Sequence, residues 1–168
     1  MLHDPEVQPL LDRQAIRDVV LRYCRGIDRL DLELVRACYH PDATDDHGTF
    51  RGTRDEYVAW VAGVLQRFTS TMHLVGNQLV ELAGDVARSE TYGVAYHHGD
   101  PPDDHRRNFT TGFRYVDRFE RRDGEWRIAT RVAVREWTHT VTADQQVIIP
   151  PERDGRRGQR DRTDAVYE

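Results

Sequence analysis

Residues 40–47 form a group of side chains of the types that bind metals. The group contains two histidines and three aspartates, namely His40, Asp42, Asp45, Asp46 and His47. Zinc and calcium sites need their ligands at characteristic spacings, and this arrangement fits neither a zinc motif nor a calcium loop. The pattern therefore favours a solvated acidic turn, and we expect no metal here.

The basic residues of the chain exclude several other kinds of chemistry. All 24 lysine-plus-arginine positions are arginine. Without a lysine amine the chain cannot form a Schiff base, attach pyridoxal phosphate or supply the lysine of a P-loop. It also has no GxGxxG motif, the usual signal of a dinucleotide site. We therefore expect an activity that uses no cofactor.

Length and composition indicate one globular domain. The chain has 168 residues, 38% of them hydrophobic and 32% charged, and its net charge is −5. Domains commonly hold roughly 150 residues, so a core domain over residues 1–150 and a charged tail over residues 151–168 account for the whole length. The acidic balance argues against nucleic acid as a partner, because phosphate binding needs a basic surface.

The sequence also predicts where the protein resides. No apolar run approaches the roughly 18 residues of a membrane span, and the first ten residues lack the apolar core of a signal peptide. The two cysteines, Cys24 and Cys38, form no CxxC pair. We therefore expect a cytoplasmic protein with reduced thiols and no membrane partner.

Hydrophobic periodicity predicts helices followed by strands. A helix over residues 12–26, with Asp12 as its cap, precedes a second helix that starts near Asp31. A capping box at Thr53 and Glu56 opens a third helix. The period then changes to two over residues 71–82, 86–98, 109–121 and 126–138. The last two segments join at Asp123-Gly124, a strong hairpin signal.

This order of elements defines an α+β fold, with helices on one face of a curved antiparallel sheet and a closed, mostly apolar pocket between them. Arginines in the last strands alternate with acidic residues, which indicates an outer sheet face laced with salt bridges. Residues 151–168 carry ten charges and almost nothing apolar, as expected of a tail or of an arm lying on a neighbour.

The pattern resembles the SnoaL-like branch of the nuclear transport factor 2-like superfamily over about residues 10–140. The residues that carry the resemblance are Tyr23, Gly26, Ile27, Asp28, Arg29 and Asp31, then residues 39–43, Thr71, Met72, His73 and Asn77, and finally residues 123–127. The resemblance implies a cone-shaped α+β barrel. It does not fix the function, because this fold hosts isomerases, dehydratases, cyclases and binding proteins.

Within that superfamily the chain is similar to scytalone dehydratase, hexachlorocyclohexane dehydrochlorinase and bile acid 7α-dehydratase. This similarity implies that Asp28, at the end of the first helix, works with His73 on the first long strand. The similarity also implies supporting roles for three further residues. Tyr23 matches a tyrosine of the bile acid enzyme, His97 matches a histidine of scytalone dehydratase, and Arg131 matches an arginine of the dehydrochlorinase. These lyases form homotrimers, so we expect a homo-oligomer, either a trimer or a dimer.

The chain also departs from these lyases. It lacks the lysine of the dehydrochlorinase, and Ile27 and His47 stand roughly where scytalone dehydratase has a pair of tyrosines. The resemblance therefore supports an Asp–His dyad but does not make scytalone the substrate.

The implied chemistry is a cofactor-free elimination or isomerisation. A neutral imidazole is a suitable base for a carbon-bound proton, and a buried carboxylate orients the ring and stabilises the imidazolium. Tyrosine or arginine can stabilise a developing enolate. The expected partner is a small apolar cyclic molecule, such as a hydroxylated ketone.

Several alternatives stay open on the sequence alone. The same fold could serve as a non-catalytic binding or assembly protein, like the small subunits of ring-hydroxylating dioxygenases, or as an enzyme with an aspartate base, as in polyketide cyclases. Asp28 could simply terminate a helix, and Tyr23 could be plain core. Either His97 or His98 could face the pocket, because adjacent strand residues point to opposite faces.

Overall fold

The computed structural model describes residues 7–99, 108–140, 155 and 158–167. The helices are α1 (Gln8–Arg29), α2 (Leu32–Ala37) and α3 (Arg54–Leu65). The strands are β1 (Tyr39–His47), β2 (Phe50–Thr53), β3 (Ser70–Ala83), β4 (Val86–His98), β5 (Phe109–Arg122) and β6 (Glu125–Thr140). Residues 100–107, between two of the predicted strands, and the domain boundary at residue 150 lie outside the described residues.

The first helix extends beyond both ends of the predicted one. It begins at Gln8, with a proline in its first turn, where the missing N–H costs nothing. The prediction that Asp12 caps the helix is wrong. Asp12 lies inside α1, where its carboxylate accepts hydrogen bonds from Trp126 Nε1 and Arg121 Nη1, both at 2.9 Å. This aspartate therefore ties the helix to the last hairpin.

The third helix and the last hairpin begin as the sequence predicts. The Thr53 hydroxyl accepts from the Glu56 backbone N–H, and the Glu56 side chain accepts from the Thr53 backbone N–H. Asp123 and Gly124 both have positive φ, at 54° and 82°, which is the geometry of a tight turn between β5 and β6.

One mixed sheet holds the six strands in the order β2-β1-β6-β5-β4-β3. The long strands β3 to β6 form the predicted antiparallel meander. The expectation of a wholly antiparallel sheet is wrong at one place, because β1 pairs with β6 in parallel. Strands β2 and β3 form the two edges, so the sheet of the described residues is open. Its class is nevertheless the predicted α+β fold of helices packed on one face of a sheet.

Successive side chains of a strand point to opposite faces of the sheet, so every second residue faces the helices. On β3 the inward residues include Thr71 and His73, and on β4 they include Ala95 and His97. The register pairs Thr71 with His97 and His73 with Ala95, so both histidines lie on the inner face of adjacent strands. The sheet thereby gathers side chains that are distant in sequence.

The arginines between Arg114 and Arg127, on β5 and at the start of β6, are ion-paired as predicted. Their carboxylate partners include Glu90 and Glu136 for Arg114, Glu120 for Arg118, Asp85 for Arg121, Asp42 for Arg122 and Glu125 for Arg127. These ion pairs neutralise the positive charge of the arginines on this part of the sheet.

The described end of the tail packs on its own chain. Asp164 forms an ion pair with Arg29 at 2.8 Å, and the Tyr167 hydroxyl donates to Asp31 at 3.0 Å. Arg160 donates to the carbonyl oxygens of Leu65 and Phe68. These contacts hold residues 158–167 against the ends of α1 and α3.

Candidate active site

The carboxylate of Asp28 is the best-connected polar group of the inner face. Its Oδ1 lies 2.7 Å from His73 Nδ1 and accepts the Thr71 hydroxyl at 3.0 Å. Its Oδ2 accepts the backbone N–H of His73 at 2.8 Å. The side chains of His73 and Asp28 are 9% and 12% exposed, so this group is screened from bulk water. The ring of His73 is therefore fixed at Nδ1, and Nε2 is the ring nitrogen left for other contacts.

The end of α1 places Asp28 above β3. The helix stops just after Asp28, where Leu30 adopts the left-handed conformation at φ 54°. Gly26 allows α2 to approach closely, since a Cβ there would lie 2.8 Å from Val35 Cγ2. The glycine expected near the end of the helix therefore serves close helix packing, and the last turn holds Asp28 over the sheet.

A cavity of about 660 Å³ opens beside this group. Its wall includes His73, Ala95, His97, Phe109, Phe113, Tyr115, Trp60 and His47, with Arg67 and Arg135 among its exposed members. Gly93 leaves room for the ring of Phe113, because a Cβ at this glycine would lie 2.4 Å from that ring. The lining combines aromatic and aliphatic side chains with three histidines, four threonines and two arginines, which suits an apolar ring system that carries polar groups.

His97, and not His98, lines this cavity. The His97 ring lies 6.1 Å from the His73 ring between centroids and stacks on Phe109 at 4.3 Å. Burial, together with the charge of His73, lowers the pKa of His97 from 6.5 to about 4. His97 is therefore neutral at physiological pH and offers one N–H donor. His98 points to the other side of β4 and is absent from the lining.

Tyr23 and Arg131 lie behind the cavity wall. The Tyr23 hydroxyl is hydrogen-bonded to that of Tyr57, and both residues are fully buried. Arg131 makes a bidentate pair with Asp117 at 2.8 and 2.7 Å. Its guanidinium lies 3.9 Å from the centroid of Tyr115, the tyrosine that does line the cavity. Neither Tyr23 nor Arg131 is among the lining residues, whereas His73 and His97 line the cavity and Asp28 is hydrogen-bonded to His73.

Asp45 and His47 were assigned to a solvated turn, yet they form a second Asp–His pair. Asp45 Oδ1 lies 3.2 Å from His47 Nδ1, and Asp45 Oδ2 accepts the Tyr39 hydroxyl at 2.7 Å. The Asp45 side chain is completely buried, and His47 is 27% exposed in the cavity wall. The period-two spacing of Ala43, Asp45 and His47 is the sequence signal that could have placed them on one strand face.

The remaining chemistry-bearing groups near the site are occupied or inert. Asp42 and Asp46 form ion pairs with Arg122 and Arg51. Within the described residues no three His, Cys, Asp or Glu side chains converge as metal ligands. Burial raises the pKa of Cys24 to about 12 and that of Cys38 to about 11, which excludes thiolate chemistry at neutral pH. None of the described helices is long and apolar enough to cross a membrane.

Comparison with known proteins identifies the family. The SnoaL-like domain model matches residues 8–132, so the chain belongs to the SnoaL-like family. This confirms the resemblance drawn from the sequence.

Individual relatives agree with this assignment. The uncharacterised protein Rv2910c of Mycobacterium tuberculosis strain H37Rv is 27% identical over 132 residues, which cover 77% of this chain and 88% of the relative. A Novosphingobium aromaticivorans protein provisionally assigned as a scytalone dehydratase superposes with a TM-score of 0.71 at 21% identity, covering 80% of this chain and 91% of that one.

A third relative is the hexachlorocyclohexane dehydrochlorinase LinA-type3 of Novosphingobium barchaimii LL02. It superposes with a TM-score of 0.71 at 18% identity, covering 87% of this chain and 99% of that chain. At these identities the two solved structures establish the fold and leave the reaction open.

Proposed function

We propose that the chain is a cofactor-free lyase of the dehydratase type, or an isomerase, that acts on a small apolar cyclic ketone. The observation that carries this proposal is the hydrogen bond between Asp28 Oδ1 and His73 Nδ1 at the wall of the cavity. With Nδ1 held, Nε2 of His73 is available to take a proton from a carbon next to a carbonyl group.

Each partner in the group has a physical role in this reaction. Asp28 orients the ring and stabilises the imidazolium that forms when His73 gains a proton. His97 is neutral because its pKa is lowered to about 4, so it can donate a hydrogen bond to the ketone oxygen as negative charge develops there. Contact with the aromatic side chains of the lining displaces water from the faces of an apolar ring and strengthens both interactions.

Tyr23 and Arg131 take a supporting role in this proposal. They brace the wall from behind through Tyr57, Asp117 and the ring of Tyr115. Buried side chains of this kind fix the position of the lining residues, which matters because a displacement of about 1 Å can cost a large factor in rate.

The test uses β-hydroxytetralone, a bicyclic ketone whose loss of water gives fluorescent naphthol. The wild-type protein should form naphthol, and His73→Gln should lower the rate at least about 100-fold. His98→Gln is the matched control, because His98 lies outside the cavity lining, and it should keep the wild-type rate. Equal rates for wild type and His73→Gln would refute the base assignment and favour an aspartate base.

The competing function is a binding or assembly protein on the same fold. It predicts that naphthol binds in the cavity while no β-hydroxy ketone, β-chloro ketone or β,γ-unsaturated ketone is converted. The homo-oligomer stays a proposal as well, and a monomeric mass in solution would contradict it.

A further inference from the structure

We propose that Asp45 and His47 form a second acid–base pair, which delivers a proton to the group that leaves the substrate. This inference rests on the proposed function and adds a residue to it. His73 and His47 both line the cavity, and each has Nδ1 engaged by an aspartate, at 2.7 Å and 3.2 Å. The two rings therefore each keep Nε2 for a substrate.

The buried carboxylate of Asp45 is placed to support the role of His47 as a proton donor. Among the described core groups, the Asp117 carboxylate is matched by Arg131 through two hydrogen bonds. Asp45 is equally buried, and its carboxylate oxygens contact the Tyr39 hydroxyl and the His47 ring. A buried carboxylate that contacts an imidazole orients the ring and stabilises the form of the ring that carries the proton to be transferred.

The two pairs differ in a way that separates their roles. Asp28 already accepts a threonine hydroxyl and a backbone N–H besides the His73 ring, so neutral donors satisfy it. The His73 side chain is 9% exposed, whereas that of His47 is 27% exposed. A shielded ring suits proton abstraction, and a ring that water can reach is easily reprotonated after each turnover.

The proton and electron balance of the elimination follows from these roles. Nε2 of His73 takes the proton from the carbon between the carbonyl and the hydroxyl-bearing carbon, and the C–H electrons form the new double bond. The C–O bond breaks with its electron pair on oxygen, which takes the Nε2 proton of His47 and leaves as water. His73 then returns its proton to solvent, and His47 takes one from solvent.

This division of labour predicts that reactions differ in their need for His47. Hydrogen exchange at the α-carbon of tetralone needs only the base. Loss of chloride from β-chlorotetralone needs the base but no proton on the leaving group. Loss of water from β-hydroxytetralone needs both histidines, because hydroxide is a poor leaving group.

The experiment measures these three reactions for the wild type, His47→Gln and His73→Gln. Exchange is followed by NMR in deuterated water, and both eliminations by naphthol fluorescence. His47→Gln should lower dehydration about 100-fold while leaving exchange and chloride loss within about threefold of the wild type. His73→Gln should lower all three.

Control variants keep the inference separate from folding and from the proposed function. Asp45→Asn should reproduce the selective loss, while Asp46→Asn, on the next residue and paired with Arg51, should not. A uniform loss in His47→Gln, or full retention of dehydration, would overturn the role of His47. Absence of all three reactions from the wild type would overturn the proposed function, and this inference with it.

Discussion

Asp28 holds His73 at two points, because Oδ1 contacts the ring nitrogen at 2.7 Å while Oδ2 accepts the backbone N–H of the same residue at 2.8 Å. The carboxylate thus fixes both the strand and the side chain that it carries. A single group from the end of α1 determines where the ring stands and which of its nitrogens faces the cavity.

Replacing Asp28 by Asn should abolish most of this control. An amide keeps an oxygen at only one of the two carboxylate positions, so either the ring N–H or the backbone N–H of His73 meets an NH2 group instead of an acceptor, and the amide cannot neutralise the imidazolium. We expect kcat for dehydration to fall at least about 100-fold with a smaller change in KM. Steady-state kinetics with β-hydroxytetralone measures this.

Asp18→Asn is the matched control for Asp28→Asn. Asp18 lies on the same helix, and its side chain accepts from Gln14 at the surface. It should keep wild-type kinetics. Wild-type kinetics in Asp28→Asn would remove this carboxylate from the proposed reaction.

His97 predicts a specific loss of stability in acid. Its pKa is lowered from 6.5 to about 4 by burial and by His73, so the unfolded chain binds a proton more readily than the folded one. The free energy of unfolding should therefore fall as the pH drops from about 6.5 towards 4, by up to about 3 kcal/mol from this group. Above about pH 6.5 the protonation of His97 should no longer change the free energy of unfolding.

Urea unfolding of wild type and His97→Gln, compared at about pH 7.5 and pH 4.5, isolates this contribution because the remaining groups titrate in both proteins. The stability advantage of the wild type over the variant should shrink or reverse at the lower pH. A difference between the two proteins that is the same at both pH values would mean that His97 is as easily protonated when folded as when unfolded.

The sequence predicted those parts of the fold that are encoded locally. The capping box at Thr53, the turn at Asp123-Gly124 and the change of period after α3 each depend on a few adjacent residues, and each is present. The parallel pairing of β1 with β6 leaves no comparable signal, since its partners, such as Asp45 and Arg131, lie far apart in the chain. Such a pairing becomes visible only once the strands are assembled.

The candidate site divides in the same way. Asp28, His73 and His97 came from a resemblance to related lyases, and the structure brings them together. His47 was missed because three aspartates around it read as a solvated turn. Tyr23 and Arg131 have suitable chemistry, but burial, which the sequence does not reveal, places them behind the wall.

Arg131 gives a test of that burial. Arg131→Met leaves the fully buried Asp117 without its cation, so the free energy of unfolding should fall by about 3–5 kcal/mol. The double variant Arg131→Met/Asp117→Leu removes both charges and should recover most of the loss. Urea unfolding measures both changes.

Activity of the double variant then separates structural from chemical roles. If Arg131 only braces the wall, the folded double variant should dehydrate β-hydroxytetralone within about tenfold of the wild-type rate, well short of the loss of at least about 100-fold expected from removing a group that acts on the proton. A stable but inactive double variant would indicate that Arg131 takes part in the reaction itself.

Ala95 tests the cavity without relying on any reaction. It lies opposite His73 in the β3–β4 register, is 2% exposed and lines the cavity. A larger side chain here would occupy space that the apolar ring of a ligand needs, and the cavity of about 660 Å³ has room for it without displacing the backbone. Ala95→Leu should therefore fold normally and weaken naphthol binding at least about tenfold, which corresponds to about 1.4 kcal/mol. Fluorescence titration measures this.

Val94→Leu is the control for Ala95→Leu, because the adjacent strand residue points to the opposite face of β4. This substitution also enlarges an apolar side chain, but outside the cavity lining, and it should leave naphthol binding unchanged. Equal affinity in Ala95→Leu and the wild type would mean that the ligand binds elsewhere. Weaker binding in Ala95→Leu alone, in a protein that converts none of the ketones, would locate the ligand in the cavity and favour the binding-protein alternative.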